Sequence, residues 1–158
     1  YIEALESFQK AIDLNPKELF SWANKGSALV ALERFEEALE SLQKVIDLNP
    51  KELLAFKLQG EIYHNIQRFE EAVLVLDKAI KIDANNLDCL NLQALAFSFL
   101  NDFDNAILHI NKVVNLNSQD IIYLANRGII LARAGRYAEA LADCEQAIQQ
   151  KPDDESGY

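Results

Sequence analysis

The chain is poor in the residues on which most protein chemistry depends. It has two histidines and two cysteines among 158 residues. Cys89 and Cys144 stand at unrelated points of the sequence, so a disulfide framework is not indicated. The expectation is a pair of buried free thiols in a cytoplasmic protein. Five glycines and three prolines are too few for a loop-rich or disordered chain. No apolar run approaches the ~18 residues that suggest a membrane span. A secretory leader pattern is also missing. So is an initiating methionine, and the chain opens in the middle of a repeat. That reads as a fragment, in which missing targeting signals say little.

Positive charge is scarce as well. Fifteen Lys and Arg face 25 Asp and Glu, a formal net charge of −10. Nucleic acid is excluded as the main partner, because phosphate binding needs a basic footprint. Anionic membrane surfaces are disfavoured on the same ground. The acidic excess reads as a solvated outer face. Nucleophile elbows, phosphate loops and zinc patterns are all missing. Glu61 and His64 form one Glu-x-x-His pair, half of a di-metal bundle motif. The other ligands are lacking, and His109 has no acidic partner at matching spacing. No catalytic residue, metal or cofactor is expected, and the chain is not read as an enzyme.

What the sequence has in abundance is apolar residues, half of its length, and they recur with a fixed period. Ala4, Ala38, Ala72, Ala106 and Ala140 lie 34 residues apart, as do Tyr1, Phe35, Phe69, Phe103 and Tyr137. Each period splits into two stretches with apolar residues three or four apart, the spacing of an amphipathic helix. In residues 19–52 the first helix is expected from Leu19 to Leu32, with Trp22, Gly26 and Leu29 on its buried side. The second is expected from Phe35 to Leu48, with Phe35, Ala38, Leu42 and Val45 inward. The Glu33-Arg34 turn is short enough to force the pair antiparallel. Pro50 ends the unit, because the residue before proline is pushed out of the α region. Ala84 and Ser118 replace that proline in later copies, and Ala94 replaces the glycine. The small residues suggest close helix crossings, with the Gly26 class facing the Ala38 class. Phe35, Phe69 and Phe103 read as core rather than as a ligand platform.

These residues resemble tetratricopeptide repeats, helix-turn-helix units of 34 residues. The resemblance covers one domain over 1–158: a half repeat at 1–18, full repeats at 19–52, 53–86, 87–120 and 121–154, and a tail at 155–158. It implies an all-α solenoid, a right-handed superhelix of antiparallel helix pairs. First helices would line a concave groove and second helices the outer face. Such arrays resemble protein-binding scaffolds.

By the family's layout the partner-binding groove would carry Phe20, Asn24, Leu54, Leu58, Asn91, Leu92, Leu95, Phe99, Ile122, Asn126 and Ile129. A known groove of the family clamps a chaperone's C-terminal carboxylate with Lys, Asn and Arg. Those places hold Ala23, Ser27, Leu58, Asp88 and Leu92 in one register. In the next register they hold Lys57, Glu61, Leu92, Ile122 and Asn126. Neither register makes the clamp. What remains is an apolar strip flanked by asparagines, suited to a protein or peptide partner, either an amphipathic helix or an apolar segment. The alternative is that tight curvature packs the strip against itself. Two other roles stay open: a regulatory or substrate-docking array of a larger enzyme, such as a sugar transferase, and self-assembly into a homo-oligomer through open solenoid ends. The ends would expose faces built for packing, with Phe8 at one and Leu141 and Ile148 at the other.

Overall fold

The structure, a computed structural model, describes residues 2–149. Tyr1, Pro152 and the tail 155–158 lie outside the described residues. Within those bounds the chain forms nine helices and no strand. They are α1 (Ile2–Leu14), α2 (Leu19–Ala31), α3 (Phe35–Leu48), α4 (Leu53–Asn65), α5 (Phe69–Ile82), α6 (Leu87–Phe99), α7 (Phe103–Leu116), α8 (Ile121–Arg133) and α9 (Tyr137–Gln149). They fall into two compact units, Tyr1–Ala84 with α1 to α5 and Asn85–Tyr158 with α6 to α9.

One turn type joins the two helices of every repeat. After α2, Glu33 adopts φ 57°, and its N–H donates to the Val30 carbonyl at 2.9 Å. The Arg34 N–H reaches back to the Leu29 carbonyl, also at 2.9 Å. This pair of bonds is a Schellman closure, which satisfies carbonyls that the helix end leaves open. It recurs at Gln67 (φ 60°), Asn101 (φ 60°) and Gly135 (φ 77°). The following helix is then secured by its first side chains. Arg34 pairs with Glu37, Arg68 with Glu71 and Arg136 with Glu139. In the third repeat Asp102 replaces the arginine and accepts the Asn105 N–H at 3.2 Å.

The connections between repeats do not depend on proline. α5 and α7 end at Ile82 and Leu116 although Ala84 and Ser118 stand at the proline place. The cause lies one residue beyond each helix. Asp83 (φ −133°, ψ 98°) and Asn117 (φ −143°, ψ 79°) have already left helical geometry. Side chains then cap the next helix: Glu18 accepts from the Phe20 and Ser21 N–H groups, Asn86 from Cys89, and Asp120 from Ile122.

In unit one the core is built from Leu29, Ala38, Leu42, Val45, Ala55 and Ile62, with Trp22 and Phe35 packed partly buried around it. In unit two Leu90, Ala94, Ala106, Ile110, Val113 and Leu124 are fully enclosed. Four expectations need correction. The Gly26 class faces the Ala38 class only in the last repeat, where the Ala140 carbonyl is the atom nearest a Cβ at Gly128, at 3.5 Å; at Gly26 and Gly60 the nearest atoms belong to Leu42 and Leu76. Cys89 is buried, but Cys144 is exposed. Its counterparts Leu42, Leu76 and Ile110 are enclosed, whereas among the described residues no helix follows α9 to cover it. Tyr137 is exposed, whereas its counterparts Phe35, Phe69 and Phe103 are half-buried. Phe8 is half-buried rather than open, while Leu141 and Ile148 are exposed.

Candidate interaction face

First helices of successive repeats lie side by side within each unit: α2 with α4, and α6 with α8. Of the positions expected to meet a partner, Phe20, Asn24, Leu54, Phe99, Ile122 and Ile129 are exposed, and Leu58, Asn91, Leu92, Leu95 and Asn126 are half-buried. In unit one Phe20 is 73% exposed and Leu54 51%. Asn24 is also exposed, and Leu58 is half-buried against the core. Lys57 and Glu61, one turn apart on α4, form a loose ion pair at 4.0 Å.

Unit two is more ordered in its polar chemistry. Tyr123 donates to Asp88 at 3.4 Å, Asn126 Nδ2 to Asn91 Oδ1 at 2.9 Å, and Arg133 Nη2 to the Ser98 carbonyl at 3.1 Å. Each of these links joins residues 35 apart, from α8 back to α6. The same two helices carry the half-buried Leu92 and Leu95 and the exposed Phe99, Ile122 and Ile129. The partial burial of Leu92 and Leu95 gives self-packing a share of the strip, and the other three leave apolar surface open. Arg133 also stacks over Phe99, 4.8 Å from the ring centroid.

The links through Tyr123 and Ser98 were not foreseen from the sequence. Their signal is polar residues one repeat plus one position apart, where a residue of one first helix meets its neighbour on the next. Unit one has no such series, since the matching places hold Phe20 with Ala55, Ala23 with Leu58 and Val30 with Asn65.

Other polar groupings are internally paired. Arg127 grips the buried Asp143 through two hydrogen bonds, Nε to Oδ2 at 2.8 Å and Nη2 to Oδ1 at 2.5 Å. The carboxylate's hydrogen bonds hold the guanidinium above its ordinary pKa. The equivalent place in the first repeat has Lys25 donating to Gln9 at 2.8 Å. His64 lies in the last turn of α4 with its ring edge-on to Phe69, 5.5 Å between centroids, and burial lowers its pKa. Among the described residues no three His, Cys, Asp or Glu side chains gather as a metal site would require. No helix among them is long and apolar enough to cross a membrane.

Tandem helical hairpins with closed, salt-bridged turns and a two-helix outward strip define an all-α repeat protein of the scaffold type. The chain belongs to the tetratricopeptide repeat family. Three tetratricopeptide repeat profiles match it, over residues 23–86, 87–120 and 121–154. Membership makes it, in general terms, a protein-interaction scaffold. No curated protein matches the chain. Solved structures share its fold. MamA from Desulfovibrio magneticus RS-1 is similar at 20% identity and TM-score 0.91, over 98% of this chain and 87% of that one. A thermophilic TPR protein from Thermus thermophilus is similar at 21% identity and TM-score 0.75, over 95% of this chain and 82% of its own. A tetratricopeptide repeat protein from Parabacteroides merdae is similar at 22% identity and TM-score 0.79, over 95% of this chain and 59% of its own.

Proposed function

We propose that the chain is a non-catalytic scaffold that binds a protein partner on the outward strip of its first helices. The partner segment is an amphipathic helix or an apolar stretch. In unit two it lies over Leu92, Leu95, Phe99, Ile122 and Ile129; Phe20, Asn24, Leu54 and Leu58 offer a second patch in unit one. The observation that carries this reading is apolar exposure at Phe99, Ile122 and Ile129 around a fixed amide pair. Asn91 retains amide donors and Asn126 an amide oxygen, which suit a peptide backbone and read no side chain. A chaperone-type carboxylate clamp is not part of the proposal, since the clamp places in unit two hold Asp88, Leu92, Ile122 and Asn126.

Magnitudes favour apolar contact. Burying one Leu or Phe side chain contributes about 1.5–3 kcal/mol. An exposed ion pair contributes about 0–1 kcal/mol and weakens with salt. Three such apolar contacts therefore outweigh the few charges around the strip. Amphipathic helical peptides selected on the whole chain provide the test. Their affinity should change little between low and moderate salt. Leu95→Glu should abolish it, by setting an unpaired charge against apolar surface. Binding that collapses with salt and ignores Leu95→Glu would move the site to the acidic surface.

A second reading, self-assembly, is favoured by the exposure of Leu141 (60%) and Ile148 (72%) on α9. Light scattering over a concentration series separates the two, because a scaffold for foreign segments need not grow in mass.

A further inference from the structure

Arginines in this chain are almost all committed to acids. Arg34, Arg68, Arg127 and Arg136 each hold a carboxylate within 2.6 Å. Arg133 is the exception among the described residues: no Asp or Glu lies within ion-pair distance of it. This occurs in a chain where acids outnumber bases 25 to 15. Among the described residues Arg133 is thus set apart from the other arginines by its geometry.

That geometry is fixed. The guanidinium stacks over Phe99 at 4.8 Å, and one Nη2 hydrogen goes to the Ser98 carbonyl at 3.1 Å. Both anchors sit at the end of α6, so the side chain is held against the neighbouring helix while the residue as a whole stays exposed. Such an arginine has already lost much of the freedom that binding would cost it. It also borders apolar surface. Ile129, one turn earlier on α8, is 55% exposed, and Phe99 beneath the guanidinium is 44% exposed.

We propose that Arg133 selects partners bearing an acidic side chain beside their apolar residues, with the carboxylate seated on the guanidinium and the apolar side chains on Phe99 and Ile129. This rests on the reading of the strip given above and names the chemistry of its partner. The opposite end of the strip carries the reverse sign. Asp88 lies eleven residues before Phe99 on α6, about 16 Å away at the helical rise. A helical partner would therefore lie antiparallel to α6 and α8, its acid in its first turn at Arg133 and a base in its last turn near Asp88. That placement agrees with the partner's own helix dipole.

The test is selection from a displayed library of amphipathic helical peptides, run in parallel on the intact chain and on Arg133→Gln and Arg133→Glu. Because Arg133 is exposed, both variants should keep the wild-type circular dichroism, with only a small fall in melting temperature from the lost Ser98 and Phe99 contacts, which is checked first. Wild type should enrich Asp or Glu one helical turn from Leu, Ile or Phe. A single selected peptide should bind Arg133→Gln roughly three- to fivefold more weakly, the upper range for one exposed ion pair. Arg133→Glu should invert the preference to Lys or Arg. Peptides without acidic enrichment that still require Leu95 would overturn the role of Arg133 and leave the strip standing. Peptides that bind Leu95→Glu as well as wild type, or a library that gives no binder, would overturn both.

Discussion

A Cβ placed on Gly60 would lie 2.6 Å from Cδ2 and 2.7 Å from Cγ of Leu76. The α4–α5 crossing has thus been closed by a leucine that occupies the space of a missing methyl group. Gly60→Ala should destabilise the chain by about 1–3 kcal/mol through overpacking. Gly26→Ala should cost less, since its contact with Leu42 begins at 3.0 Å. Gly128→Ala should be neutral or gain up to about 1 kcal/mol of helix propensity, because nothing lies nearer than 3.5 Å. Chemical denaturation of the three variants checks the order. Ala72, with no exposed surface, should tolerate leucine no better than Gly60 tolerates alanine.

The Arg127–Asp143 pair should be the most costly polar contact to break. Asp143 is 4% exposed, and its removal leaves the guanidinium one hydrogen bond, to Asn111 at 3.5 Å, and the more distant charge of Glu139. Asp143→Ala should cost about 3 kcal/mol, the low end for a buried pair, because Arg127 retains some access to water. The double variant Arg127→Met with Asp143→Leu should recover most of that loss. Comparing urea midpoints for the single and double variants decides whether charge or packing holds α8 to α9.

The repeat turns store strain that glycine would release. Glu33, Gln67 and Asn101 hold a left-handed backbone that costs an L-residue roughly 1–2 kcal/mol, less for asparagine. Gln67→Gly should raise stability by about 0.5–1 kcal/mol, the relief less the added freedom of the unfolded chain. Gly135→Ala should lower it by about 1 kcal/mol, although no atom lies within 4 Å of the new Cβ. Melting temperatures moving in opposite directions would confirm that conformation, not packing, selects this residue.

Acid should loosen unit one in two stages. Burial lowers the His64 pKa from its ordinary 6.5. A lowered folded pKa means that the unfolded chain takes up the proton first. Stability is therefore complete above about pH 6.5 and falls as pH drops through the folded value. Below the ordinary carboxylate value of 4.5 a second loss follows, as Glu37 and Glu71, held low by their arginine partners, become protonated. These carboxylates are exposed, so their share is small. His64→Gln should flatten the slope between pH 7 and 5 in urea titrations and leave the lower stage in place.

The repeat phase, the helix pairs and the acidic exterior are all legible in the sequence, because periodic burial of one face is a local property of the chain. Trp22, Ala38, Leu42 and their copies announce the helices before any contact is known. The turn at Glu33 was visible as a break, but its left-handed closure was not, since glutamate carries no signal for that conformation. The candidate residues Phe20, Asn24, Leu54, Leu58, Asn91, Leu92, Leu95, Phe99, Ile122, Asn126 and Ile129 could be placed on first helices from the repeat alone. Their exposures could not, because burial depends on how closely neighbouring helices approach. Leu95 and Ile129 are both aliphatic residues of first helices, yet only the packing of α6 against α8 half-buries one and leaves the other open. Arg133 carries the same lesson: the sequence marks a charge at a helix end, while the Ser98 carbonyl and the Phe99 ring that hold it come from α6, 35 and 34 residues earlier.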